Sequence, residues 1–277
     1  MLKTGILLSD FGYGRTVTEQ IRAVKDAGFD TFFTHVRPAD ETELLCNEAA
    51  KAGLTYESVH GPFMHIDRIW QENGEYWVDE LKSVVDHARR FGIGIINMHC
   101  MYNPPGCHPF LHDNLYSDMG AERFRRVTEY AGERGIIMAY ENVEFPSCEL
   151  AGLMKKLRGL PNLGFTWDTG HELVYKDGNI ELMAEFGDLL VGTHINDNCG
   201  RRNPDHLSPE DDIHIPPYSG KVDFDRVARL LKQVNYRGSV TLEIKQSKLY
   251  PESLPDLETY LADAHERAVR IARQIEA

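Results

Sequence analysis

Short apolar runs alternate with amphipathic stretches from one end of the chain to the other. Compact apolar segments at 5–9 and 31–34 read as buried strands. So do the runs that lead to His60, His99, Glu141, Asp168, His194 and Glu243. Between them, apolar residues recur at helical spacing. Ile21, Val24 and Ala27 mark a helix over about 16–27, and the same reasoning places helices over about 41–52, 76–91, 119–133, 148–157, 180–186, 224–234 and 257–275. Gly28, Gly53 and Gly92 follow three of these helices directly, Gly135 stops a fourth after Arg134, and a strand begins at once after each. Eight strand–helix units predict an α/β fold, a single (β/α)8 TIM barrel spanning 1–277 as one domain. An open doubly wound sheet competes, but Gly12-Tyr-Gly-Arg after the first strand lacks the third glycine of a dinucleotide fingerprint. The longest irregular segment, 198–221, reads as an elaborated loop and not as a domain boundary.

Composition narrows this picture modestly. At 277 residues and 42% hydrophobic, the chain can bury a sizeable core, and no shift in composition marks a linker. Its formal charge of −13 argues against a broad nucleic-acid surface, which needs clustered Lys and Arg to meet phosphates. Five cysteines (46, 100, 107, 148, 199) are scattered without a Cys-x-x-Cys pair, which fits a reducing compartment and a cytoplasmic location. The first ten residues hold too short an apolar stretch for a signal peptide. No run approaches the roughly 20 apolar residues of a membrane span, so no membrane association is expected.

The chemistry lies where the apolar runs stop. Barrel enzymes carry their reactive groups at the C-terminal ends of the strands. Here one metal-type ligand after another falls there. Glu141, Asp168, His194 and Glu243 end the inferred fifth, sixth, seventh and eighth strands, which are consecutive around a barrel wall. Carboxylate oxygen and imidazole nitrogen suit Mn, Zn, Mg or Co, so one divalent metal ion is expected among these four. A single glutamate at a strand end is more often a salt-bridge or helix-cap partner. Four ligands at four successive ends are hard to explain that way. His60, His99 and His171 serve either as core histidines, as supports for the ligands, or as substrate contacts. Asp212 and His214, spaced to share one side of an extended loop, are a further candidate substrate contact or second metal site. His35, His65, His87, His108, His112, His206 and His265 read as surface or structural.

Several motifs resemble those of the xylose isomerase-like sugar phosphate isomerase/epimerase superfamily, which also contains the endonuclease IV type of DNA-repair enzyme. They are Val59-His-Gly-Pro-Phe63, Met98-His99, Tyr140-Glu-Asn142, Trp167-Asp-Thr-Gly-His171, His194-Ile-Asn-Asp-Asn198, Asp212-Ile-His214 with Ser219-Gly-Lys-Val-Asp-Phe224, and Tyr236-Arg-Gly-Ser-Val-Thr-Leu-Glu243. The resemblance covers nearly the whole chain. In the ketose epimerase branch it implies one divalent ion held by Glu141, Asp168, His194 and Glu243, with His171 touching substrate. An arginine of that branch, about six residues past the metal histidine, falls here on Gly200, with Arg201 and Arg202 adjacent. The endonuclease branch implies three zinc ions on His60, His99, Glu141, Asp168, His171, His194, Asp212, His214 and Glu243, and all nine positions are filled.

These readings converge on an enzyme acting on a small-molecule carbohydrate, a sugar, sugar phosphate or cyclic polyol. Glu141 and Glu243 would be its catalytic acid–base pair, moving a proton next to a carbonyl through an enediolate. His60, His99, His171, Asp212, His214 and Arg201 would bind substrate. Phe11, Phe63, Trp70 and Trp167 are candidates to stack on a sugar face, or they belong to the barrel packing. Arg201, Arg202 or Lys245 would meet a charged substituent if the substrate has one. An inosose-type dehydratase uses the same enolate chemistry, and a three-zinc phosphodiesterase is the alternative from a different reaction class. A non-catalytic sugar-binding barrel is disfavoured by the complete ligand set. Homo-oligomers are common in such barrels by resemblance.

Overall fold

The structure is a computed structural model, and it describes residues 1–9, 13–101, 115–143, 147–175, 181–203, 208–245 and 256–277. Phe11, Gly12, Cys107, His108, His112 and His206 lie outside the described residues.

Eight strands form one parallel sheet in the order β7-β6-β5-β4-β3-β2-β1-β8. They are β1 (Thr4–Leu7), β2 (Thr31–His35), β3 (Thr55–His60), β4 (Ile95–Met98), β5 (Ile137–Glu141), β6 (Leu163–Asp168), β7 (Leu190–His194) and β8 (Val240–Leu242). The helices are α1 (Val17–Asp26), α2 (Ala39–Ala52), α3 (Tyr76–Arg90), α4 (Leu115–Gly132), α5 (Ser147–Leu157), α6 (Thr169–Tyr175), α7 (Leu182–Phe186), α8 (Phe224–Gln233) and α9 (Leu257–Glu276). This alternation and strand order are those of the (β/α)8 barrel, the fold expected from the sequence. Among the described residues, no helix is long and apolar enough to cross a membrane.

Strands covered on both faces cannot alternate apolar with polar residues. All four residues of β1 and all six of β6 are accordingly buried. Several of the hydroxyls that intrude on the strands are paired. Glu57, on β3, accepts from Ser239 Oγ at 2.6 Å and from the hydroxyls of Thr31 and Thr241 at 3.3 Å each.

The described chain divides into two compact units. The first comprises Met1–Glu57, Trp167–Val174 and Gly192–Ala277; the second comprises Ser58–Thr166 and Tyr175–Val191. In the first, β1 pairs with β2 (Ile6 opposite Phe32) and with β8 (Ile6 opposite Leu242). Ile195, one residue past β7, bridges Leu242 in parallel. Helix α1 opens with a full capping box, Thr16 and Glu19 satisfying each other's backbone N–H. It closes at Gly28, whose φ of +105° belongs to glycine; a Cβ there would sit 2.7 Å from the His265 ring on α9. In the second unit β4 pairs with β3 and β5, and β5 with β6. Arg123, on α4, is buried and donates to the carbonyls of Ile69, Gln71 and Glu72, terminating the 3-10 turn Ile66–Trp70. Trp70 is fully buried, its indole N–H donating to the Cys100 carbonyl at 2.8 Å and its ring packing on Phe124, so it serves the packing and not a sugar face.

Boundaries of the expected strands and helices fall within a few residues of the sequence expectation, and the differences lie in segments expected to be irregular. The segment 169–175 has no apolar periodicity long enough to announce a helix, yet α6 begins immediately after Asp168. The loop 198–221 contains a 3-10 turn, Pro209–Asp211, and an antiparallel bridge between Asp197 and Ile215.

Candidate metal centre

In the first unit, Asp168 ends β6, His194 ends β7 and Glu243 follows β8 by one residue. All three are buried, and a ligand atom of each lies within 4.8 Å of the others. His194 Nδ1 is 3.0 Å from Glu243 Oε2. Phe33, from β2, lies flat against the His194 ring, with centroids 4.6 Å apart and planes 10° from parallel. Asp168 is held from both sides. Its Oδ1 accepts the His171 backbone N–H at 2.6 Å, and its Oδ2 accepts the Asn196 side-chain amide at 2.6 Å. The first of these bonds exists because α6 starts at Thr169, with the Asp168 carboxylate turned onto the first free N–H groups of the helix.

A second group in the same unit joins His171, Asp212 and His214, again with ligand atoms within 4.8 Å. Asp212 Oδ2 lies 3.2 Å from His171 Nε2 and 2.9 Å from His214 Nε2, and the two ring nitrogens are 3.3 Å apart. His214 has a left-handed backbone, φ +49°, uncommon for residues other than glycine. Its Nδ1–H donates to the Glu243 carbonyl at 2.9 Å. Were the ring neutral, this would turn the Nε2 lone pair toward the Asp212 carboxylate. Two lone pairs at that separation repel unless a proton or a cation lies between them. Burial alone would raise the Asp212 carboxyl, but His214 and His171 together hold it well below the usual carboxylate range. Burial would lower His214, and Asp212 outweighs it and raises the ring.

The second unit has its own convergence. His60 Nε2 and His99 Nε2 are 3.0 Å apart, and Glu141 Oε2 lies 3.5 Å from the first and 3.8 Å from the second. His60 Nδ1–H donates to the Gly61 carbonyl at 2.8 Å, which fixes the ring with Nε2 facing inward. Phe63 stands against both rings, at 5.4 Å from His60 and 4.9 Å from His99. In each group the donors are nitrogen and oxygen and convergent, all buried except the half-buried Asp212, and neighbouring carbonyls fix two of the rings. That donor set fits a divalent ion of the Mn, Zn or Co type.

The sequence-derived candidates thus come together within units. Asp168, His194 and Glu243 join in one, with His171, Asp212 and His214 beside one another, and His60, His99 and Glu141 join in the other. Arg201 donates from Nε to the Val174 carbonyl at 2.6 Å, tying its loop to α6. Arg202 binds Asp211 and Glu210, at 2.7 and 2.9 Å, and braces the loop. The Trp167 indole donates to Glu172, which also meets Arg226 at 2.9 Å, so that ring is held in the wall. Residues that carry the site but had no assigned role are Phe33, Thr169, Asn196 and Asn198. The run Asn196-Asp197-Asn198 after His194 held the clue: three consecutive polar residues outside any helix, all of them fully buried.

The xylose isomerase-like TIM-barrel family model matches residues 21–270. An uncharacterised Sinorhizobium fredii protein, y4fM, is 24% identical over 298 aligned positions, covering 95% of this chain and 91% of its own. Among solved structures, a xylose isomerase domain protein from Planctomyces limnophilus superposes with a TM-score of 0.76 at 17% identity, covering 99% of this chain and 98% of its own. The 3-keto-D-glucoside 4-epimerase YcjR from E. coli superposes with a TM-score of 0.74 at 17% identity, covering 98% and 100%. At these identities the superpositions speak to the fold, whereas the family match runs through nearly every strand and helix described above. The chain belongs to the xylose isomerase-like TIM-barrel family.

Proposed function

We propose that this protein is a divalent-metal-dependent isomerase or epimerase acting on a sugar, sugar phosphate or cyclic polyol. The observation that carries the reading is the buried convergence of Asp168, His194 and Glu243 from the ends of β6, β7 and β8, each held in place by a neighbour. Glu141, at the end of β5, is proposed as the fourth ligand, the place the family resemblance gives it. An ion there would act as a Lewis acid on a substrate carbonyl and its neighbouring hydroxyl.

The chain's own residues then move the proton. Glu243, ionised, takes the proton from the carbon next to the carbonyl, and the electron pair passes into an enediolate. Glu141, protonated, returns a proton to that carbon from the other face for epimerisation; for isomerisation the proton goes to the former carbonyl carbon, and the neighbouring hydroxyl proton passes to the former carbonyl oxygen. His171, Asp212 and His214 supply hydrogen bonds to substrate hydroxyls, as do His60 and His99, with Phe63 keeping water from the latter pair. Loss of a hydroxyl from the same enediolate would give an inosose-type dehydratase.

The test is solvent-deuterium incorporation at a substrate carbon across a panel of ketoses, sugar phosphates and inososes, on protein with its metal content measured. Incorporation that vanishes in Glu141→Gln and Glu243→Gln is the expected outcome, with kcat down by at least about 100-fold, the lower range of general acid–base contributions. No incorporation from any member by metal-loaded protein would overturn both the epimerase and the dehydratase readings.

A second reading has its own observation. The groups His60/His99/Glu141 and His171/Asp212/His214 are each built like a metal site, the arrangement a three-zinc phosphodiesterase of the endonuclease IV type would use. Three zinc ions per chain together with cleavage of an abasic duplex would favour it. The net charge of −13 weighs against a DNA substrate.

A further inference from the structure

Within the first unit, a chain of side-chain amides runs between the two ligand groups. Asn196 Nδ2 donates to Asp168 Oδ2 at 2.6 Å. Asn198 Nδ2 donates to Asn196 Oδ1 at 3.3 Å and to Asp212 Oδ1 at 3.2 Å. Asn198 Oδ1 accepts the backbone N–H groups of Ile213, at 2.7 Å, and His214, at 3.3 Å. Both asparagines are fully buried, and the chain between them is pinned by reciprocal bonds between Thr169 Oγ1 and the Asn196 backbone, at 2.7 and 3.1 Å. Gly170 lies directly beneath. A Cβ there would fall 1.8 Å from Asn196 Oδ1 and 2.4 Å from Asn198 Nδ2, so only glycine leaves room for this ladder.

We propose that the Asn196–Asn198 ladder locks the Asp212–His214 corner to Asp168, so that the two ligand groups open, close and load as one element. Asn198 is the positioning residue of that element. It hydrogen-bonds to none of Asp168, His194 and Glu243, yet it sets the amide that orients the Asp168 carboxylate. It uses both ends of its own amide, the donor toward Asn196 and Asp212 and the acceptor toward the 213 and 214 backbone. Aspartate in its place would keep the acceptor and lose the donor, while adding a negative charge against Asp212. A residue whose Oδ1 only held the backbone at 213 and 214 would leave Asp168 undisturbed on that exchange. A ladder would not.

Amide hydrogen exchange on the full-length, metal-free protein tests the coupling directly. In the wild type, the N–H groups of His171, Ile213 and His214 should exchange through one opening, with a common dependence on denaturant. Asn198→Ala should speed all three by at least about tenfold. Asn198→Asp should leave Ile213 and His214 protected while His171, bonded to the Asp168 carboxylate, still speeds up. Separate openings in the wild type, or wild-type exchange at His171 in both variants, would overturn the proposal, and the wild-type measurement stands even if a variant fails to fold. The consequence for cation binding rests on the function proposed above. There, Co(II) affinity read by chelator competition should fall about 10–100-fold in both variants, the usual cost of losing a partner that orients a ligand. A wild-type protein that binds no Co(II) would count against the metal reading and leave the exchange result to decide the ladder.

Discussion

At the scale of single residues, the site is a set of polar groups whose neighbours leave them little freedom. His194 illustrates this. Its Nδ1 faces Glu243, while the fully buried Phe33 ring covers one side of the imidazole. Phe33→Ala should cost about 3–5 kcal/mol in urea unfolding, the range for deleting a buried aromatic ring. It should also weaken metal binding, because the imidazole loses the surface that fixes its plane. Phe33→Leu, which refills most of the volume, should recover stability more fully than affinity. Equal recovery of both would show that Phe33 only fills space. The candidate ligands Asp168, His194 and Glu243 were legible in the sequence because each sits at the end of an apolar run, and a run's end is a local feature. The partners of Asn198 were not. Its acceptors and donors lie up to sixteen positions away across an irregular loop, and no periodicity links them.

At the scale of elements, strands and long helices followed from hydrophobic spacing and terminal glycines, whereas α6 did not. Seven residues, Thr169–Tyr175, are too few for an amphipathic pattern, and their helix is set by the carboxylate and N–H groups at its start. Another junction that depends on side chains is the start of α3. Glu75 accepts from Arg126 at 2.7 Å and from Arg123 at 3.2 Å, and the two guanidinium groups push its carboxyl down to about 2 from 4.5. A folded-state value below the unfolded one means that the ion pairs stabilise the fold above about pH 4.5. That contribution is lost as pH falls toward 2, since the unfolded chain then binds the proton first. Between those limits, wild-type protein should lose urea resistance more steeply than Glu75→Gln. The gap should narrow in high salt, because Glu75 is well exposed. Parallel curves would show that the pairs contribute nothing measurable.

At the scale of the whole molecule, the ligand groups join strands and loops far apart in the chain, so filling them should be felt in global stability. A cation that binds only the folded state adds about 2.7 kcal/mol when present at 100 times its dissociation constant. Chelator-treated protein should therefore melt at a lower temperature, and Mn(II), Zn(II) or Co(II) should raise Tm in proportion to the logarithm of concentration. Asp168→Asn should abolish that rise. An unchanged Tm on saturation with all three metals would refute cation binding to the native fold. The sequence by itself determined the barrel's repeating units and the ligand types at its strand ends, because burial on both faces makes strands read as apolar runs and makes their polar ends conspicuous. Only the tertiary structure decided which of those ends face one another, how Phe33 and Gly170 make room for them, and that Asn196 and Asn198 tie Asp168 to the Asp212–His214 corner. Such contacts depend on where distant segments meet, and a pattern that repeats every two or four residues carries no record of that.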